Sequence, residues 1–250
     1  MALSEQRSLD GKSVVITGGT TGIGRATALR LLGAGAKVLV FGRHEQELQD
    51  ALRDLEAVNG GSVVGITADT SKPEDVERIF QTADEKLGGV DILINNAALG
   101  AQGIVDMEFS EIQYIVETNL LGYMNCAKQA IERMQQKGEG HVVNVGSMSA
   151  LTKESGSDVY VATKSGIHGF SESLRKQVNE HGIKITLIEP GLVGTDMTTD
   201  QVTPEEQSGK IAEEKMLKAE DIAECIYFTL IQPRRCDIVL VQIRPHGQAI

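Results

Sequence analysis

The feature that most constrains this chain is an alternation repeated along its whole length. Short apolar, β-branched runs at 13–17, 37–41, 62–67, 91–95, 141–145, 184–189 and 237–242 are separated by longer helical patterns. Continuous apolar runs of this kind suit parallel strands that helices cover on both faces. Helix signals fill the gaps. Ser71-Lys72-Pro73-Glu74 supplies an N-cap with proline in the first turn, and Gly88-Gly89 closes that helix. Gly33-Ala34-Gly35 and Asn59-Gly60-Gly61 close two others. No repeat, low-complexity linker or composition break divides the 250 residues. The expectation is one doubly wound α/β domain over 1–250, a Rossmann fold with a seven-stranded parallel sheet flanked by helices.

Composition narrows the setting. A net charge of −11 argues against a nucleic-acid or anionic-membrane surface. Residues 1–12 are polar and lack the apolar core of a secretory signal. The longest apolar stretch, 222–231, reaches about half a bilayer span and carries Glu224. Cys126, Cys225 and Cys236 match neither a disulfide framework nor metal-ligand spacing, so buried small hydrophobes in a reduced, cytoplasmic setting are expected.

Chemistry enters at Tyr160-Val161-Ala162-Thr163-Lys164. Residues four apart share a helix face, which brings the phenol and the ammonium together. A fixed neighbouring cation favours phenolate, drawing the tyrosine toward proton exchange. Ser147 stands thirteen residues upstream, in a Gly-Ser turn after the fifth apolar run, where its hydroxyl would hold a substrate oxygen beside the phenol. A second cluster, Thr17-Gly18-Gly19-Thr20-Thr21-Gly22-Ile23-Gly24, joins the first strand to a helix over 25–32. Glycines there let the backbone approach a pyrophosphate at the helix N-terminus.

The glycine cluster resembles the Thr-Gly-x-x-x-Gly-Ile-Gly signature of the short-chain dehydrogenase/reductase family. With Ser147 and Tyr160-x-x-x-Lys164, the resemblance runs from the first strand to the last. It implies a cofactor site built from Gly18, Thr20, Thr21, Gly22, Ile23, Gly24, Asp69 at adenine, Asn95 and Ala97, Tyr160 and Lys164, and the segment Pro190, Gly191, Val193 and Thr195. Asn95-Asn96-Ala97-Ala98 departs from the family's Asn-Asn-Ala-Gly at Ala98. The resemblance further implies Tyr160 as general acid/base and Lys164 as the group that lowers its pKa and binds the nicotinamide ribose. Ser147 would polarise the carbonyl, and Asn119 would hold a water leading to solvent. For Asn119 the residues alone allow a buried asparagine satisfied by backbone.

Cofactor choice turns on the second strand, which ends Val40-Phe41-Gly42-Arg43-His44. NAD sites generally carry an acid here for the ribose hydroxyls. Gly42 leaves room and Arg43 supplies a cation, so NADP(H) is expected. The irregular, polar stretch 195–219 is expected to close over substrate. Helices over 110–136 and 158–180 carry core residues, and Ala162, Ser165, Gly166 and Gly169 suit a homodimer or homotetramer contact.

The leading expectation is thus an NADP(H)-dependent carbonyl reductase or alcohol dehydrogenase acting on a small-molecule carbonyl/alcohol substrate. An NAD-linked polyol or hydroxysteroid dehydrogenase and a non-catalytic dinucleotide sensor stand as alternatives. Glu189-Pro190-Gly191-Leu192-Val193 and the tail Ile243-Arg244-Pro245 also resemble the 3-hydroxy acid/serine dehydrogenase branch, and 3-oxoacyl reductases share the same motifs.

Overall fold

A computed structural model describes residues 5–199 and 202–248. Seven strands form one sheet: β1 (Ser13–Thr17), β2 (Lys37–Gly42), β3 (Ser62–Thr67), β4 (Ile92–Asn95), β5 (Gly140–Val145), β6 (Ile183–Pro190) and, after a small pair described below, β9 (Leu240–Ile243). Their spatial order is β3-β2-β1-β4-β5-β6-β9, every pair parallel. Strand parity divides the core as a pleated strand requires. Val14, Ile16, Val38 and Val40 face one way, toward Ala28 and Leu31 of α1 (Gly22–Leu32), Leu48 and Leu55 of α2 (Glu45–Glu56) and Ile226 of α9 (Ala219–Leu230). Val15, Leu39, Leu93 and Val142 face the other way, toward Ile79 and Phe80 of α3 (Pro73–Leu87) and Cys126 and Ala127 of α5 (Gly122–Lys137). The order reverses at β1, between β2 and β4, which opens a crevice at the strands' carboxyl ends.

Four local features differ from the sequence expectations. The helix expected over 110–136 is α4 (Phe109–Val116), a π turn (Glu117–Leu121) and α5, with the Gly122 amide bonded to the Glu117 carbonyl. One extra residue in the turn changes which side chains face inward. The stretch 195–219 is not structureless: β7 (Val193–Gly194) pairs with β8 (Leu217–Lys218) around α8 (Pro204–Ala212). Thr203 and Glu206 form a capping box at the start of α8, so local polar side chains build the helix that polarity alone concealed. Residues 200 and 201 of that stretch lie outside the described residues. The last strand starts at Leu240, opposite Leu187, rather than at 237. Of the cysteines, only Cys126 is buried; Cys236 is exposed.

Candidate active site

A cavity of about 480 Å³ follows the carboxyl ends of β2, β1, β4, β5 and β6. Its first wall is the glycine loop. Gly18 has φ +63°, and a Cβ there would stand 2.9 Å from Ala97 Cα, so the loop after β1 lies directly against the loop after β4. Asn96 Nδ2 locks the two, donating to the Thr17 and Gly18 carbonyls at 3.0 Å each. The Thr17 hydroxyl accepts from the Asn96 and Ala97 amides at 2.8 Å. Gly24 lies behind this loop: a Cβ would meet the Gly18 carbonyl at 2.1 Å, so its smallness lets α1 start close to the strand. Helix α1 begins at Gly22 with no side chain capping its N-terminus and no acid in its first turn. Uncapped amides facing a cleft suit a phosphate. The chain therefore fits the pyrophosphate of a dinucleotide.

The catalytic candidates gather at the far end, where α7 (Asp158–Val178) crosses β5. Tyr160, Ser147 and Lys164 all line the cavity. Lys164 is 2 % exposed. Its Nζ donates to the Val145 carbonyl at 2.9 Å and lies 5.6 Å from the Tyr160 ring centre, as the four-residue spacing requires. Tyr123 supports the same carbonyl, donating to it at 3.1 Å. The Ser147 hydroxyl accepts from the Ser149 amide at 3.1 Å, which orients the oxygen.

Burial acts against the mutual effect expected of this pair. Burial pushes the Lys164 ammonium down to about 7. Burial likewise raises the Tyr160 phenol; the Ser147 hydroxyl acts downward and the Glu154 charge upward. Spacing along a helix brings the two groups together but carries no information on desolvation, which here dominates both. Burial thus brings the Lys164 ammonium into the range where it trades protons and moves the Tyr160 phenol away from it.

The remaining sequence candidates divide. Thr20, Thr21, Gly22, Ile23, Arg43, Asp69, Ala97, Pro190, Gly191, Val193 and Thr195 line the cavity. Asn95 does not: its Nδ2 donates to Asn144 Oδ1 at 3.0 Å and to the Tyr123 carbonyl at 3.1 Å, bracing β4 against its neighbours. Asn119 sits within the π turn, fully buried, and its amide grips both sides of the Leu99 peptide, at 2.7 and 2.8 Å. That is the backbone-satisfied asparagine its residue type allowed, and its Nδ2 also reaches the Thr163 hydroxyl at 3.5 Å. Gly42 also lines the cavity, and a Cβ there would meet Thr20 Oγ1 at 2.6 Å, so only glycine fits against the loop at this point. Glu45, the nearest acid after β2, is bound to the Thr67 hydroxyl at 2.6 Å.

Other groups in the cavity carry no local signature. Thr118 Oγ1 is buried there with no hydrogen-bond partner among the described residues. Gln248, near the chain end, accepts from the Leu192 amide at 3.1 Å and so anchors the Pro190–Thr195 turn. An orphaned buried hydroxyl can be found only once packing is known. Among the described residues, no cluster of His, Cys, Asp or Glu is arranged to hold a metal.

A doubly wound parallel sheet with a glycine-walled cleft at its switch point defines a Rossmann-like α/β fold. The chain belongs to the short-chain dehydrogenase family, whose model (short chain dehydrogenase) matches residues 12–206. It is 32% identical over 238 residues to an uncharacterised oxidoreductase of Staphylococcus aureus, covering 95% of this chain and 98% of that one. Among solved structures it resembles levodione reductase, at 27% identity and a TM-score of 0.84, covering 94% of this chain and 96% of that one. Actinorhodin polyketide ketoreductase, solved with NADPH, resembles it at the same identity, TM-score and coverage. The protein is an oxidoreductase with the seven-stranded α/β sheet of that family.

Proposed function

We propose that the protein interconverts a neutral carbonyl compound and its secondary alcohol, using NADP(H). The observation that carries this reading is the convergence of Ser147, Tyr160 and Lys164 at one end of a cavity whose other end holds Arg43 and the open N-terminus of α1. The nicotinamide supplies or removes the hydride. In reduction, the Ser147 hydroxyl holds the carbonyl oxygen and the Tyr160 hydroxyl donates its proton to the developing alkoxide. Burial keeps the phenol protonated, the form a proton donor needs, while its raised pKa lowers the driving force for donation. Lys164, whose Nζ is held by the Val145 carbonyl, binds the nicotinamide ribose in this reading.

Charge in the cavity bears on the substrate. Glu154 and Asp196 line it, and among the described lining residues the lysines and arginines are Lys164 and Arg43 alone. Lys164 is buried, and Arg43 follows β2, three strands from the β5 end that bears Ser147. Three strand spacings are roughly 14 Å. A substrate carboxylate would therefore face two acids without a counter-ion, which argues against the 3-hydroxy acid branch.

Assembly belongs to the same proposal. Ala162 and Gly169 of the α7 stripe are exposed, whereas Gly166 packs on Leu120 of its own chain. A dimer or tetramer in a cytoplasmic setting remains the expected state. The decisive experiment monitors NADPH absorbance against a panel of ketones and aldehydes, with Tyr160→Phe alongside. Loss of the phenol should lower turnover by about 10²–10⁴-fold while cofactor still binds. Full activity in that variant would refute the proposed proton donor.

A further inference from the structure

We propose that Tyr114, on α4, is a positioning residue that holds Arg43 for the 2′-phosphate of NADP(H). This rests on the cofactor reading above and extends it to a residue 71 positions away. Arg43 is exposed, and the Asp69 charge, which acts on it, is bonded to it only through the Tyr114 hydroxyl. Its Nη1 donates to the Tyr114 hydroxyl at 2.7 Å, and its guanidinium carbon stands 5.6 Å from the centre of that ring. The same hydroxyl donates to Asp69 Oδ2 at 2.7 Å. Asp69 is fixed in turn: its Oδ1 accepts from the Ser71 amide at 2.9 Å and the Ser71 hydroxyl at 2.8 Å.

The direction of this chain of bonds follows from chemistry. A guanidinium only donates and an ionised carboxylate only accepts, so the phenol proton points to Asp69 and an oxygen lone pair to Arg43. Arg43 spends one of its five N–H donors on Tyr114 and keeps the others for a ligand. An exposed arginine otherwise loses rotamer freedom on gripping a phosphate; here a part of that loss is met on folding. The link runs from the end of β2 to α4, and its two ends, Arg43 and Asp69, both line the cavity.

Calorimetric titration with 2′,5′-ADP and 5′-AMP tests this without turnover. Wild type should bind 2′,5′-ADP more tightly than 5′-AMP. Tyr114→Phe, which keeps the ring, should weaken 2′,5′-ADP by about 2- to 12-fold, the affinity change that ordering one long side chain represents. It should leave 5′-AMP unchanged and cause no further loss on an Arg43→Ala background. Undiminished 2′,5′-ADP binding in Tyr114→Phe would overturn the proposal. So would an equal loss for 5′-AMP, or the same loss without Arg43. If Arg43→Ala itself left 2′,5′-ADP binding intact, the NADP(H) reading would fall and the proposal with it. A loss in Arg43→Ala without one in Tyr114→Phe would sink the proposal alone.

Discussion

Gly42 and Thr20 touch across the adenosine end of the cavity: a Cβ on Gly42 would lie 2.6 Å from Thr20 Oγ1 and 2.8 Å from its Cγ2. Thr20 is buried and belongs to the glycine loop. An aspartate at 42, the simple route to NADH preference, therefore displaces part of the phosphate cradle. Gly42→Asp alone should lose affinity for NADPH and NADH together and lower the melting temperature. Gly42→Asp with Thr20→Ala, which removes both clashing atoms, should recover NADH binding selectively. A clean switch to NADH in the single variant would contradict the contact.

Arg43 is the cation proposed for the 2′-phosphate. A charge-assisted hydrogen bond is worth roughly 1.5–3 kcal/mol, or about one to two decades of affinity. Arg43→Ala should therefore raise the Kd for NADPH by about 10- to 100-fold and leave NADH nearly unchanged. Titration with both cofactors at one ionic strength decides it, since equal losses would make the arginine structural.

Lys164 should weaken the fold when no cofactor is bound. Its pKa falls from 10.5 to about 7, so the folded state resists protonation that the unfolded chain accepts. The cost is complete below pH 7, shrinks as pH rises, and disappears above pH 10.5, where both states are neutral. Lys164→Met should stabilise the cofactor-free protein by roughly 3–5 kcal/mol at pH 6.5 and by much less at pH 9.5. Tyr123 continues to satisfy the Val145 carbonyl in that variant. A difference in melting temperature that did not change with pH would rule out a depressed lysine.

Glu154 should select against acidic substrates. Its carboxylate is engaged by the Thr152 hydroxyl and lines the cavity that holds Ser147. Matched ketones with and without a carboxylate should differ in KM, the acid being worse. Glu154→Gln should narrow that gap by several-fold, in keeping with the modest strength of an exposed charge interaction. Preferential turnover of the keto acid by wild type would reverse the substrate class.

The sequence by itself determined the sheet, its parallel sense, the glycine loop and the Tyr160–Lys164 pairing. All four rest on local signals: strands read from apolar runs, their parallel sense from the helices between them, a glycine loop from its place after the first strand, and a pair set by one helical turn. Tertiary structure decided what those groups can do. Tyr114 meets Arg43 only because α4 returns over the end of β2. Asn119 turns to Leu99 because a π turn rotates it there. Burial against β5 and Tyr123 lowers the Lys164 pKa to about 7. Desolvation, close backbone approach and long-range hydrogen bonds are properties of the packed chain, and no spacing along the sequence encodes their magnitude.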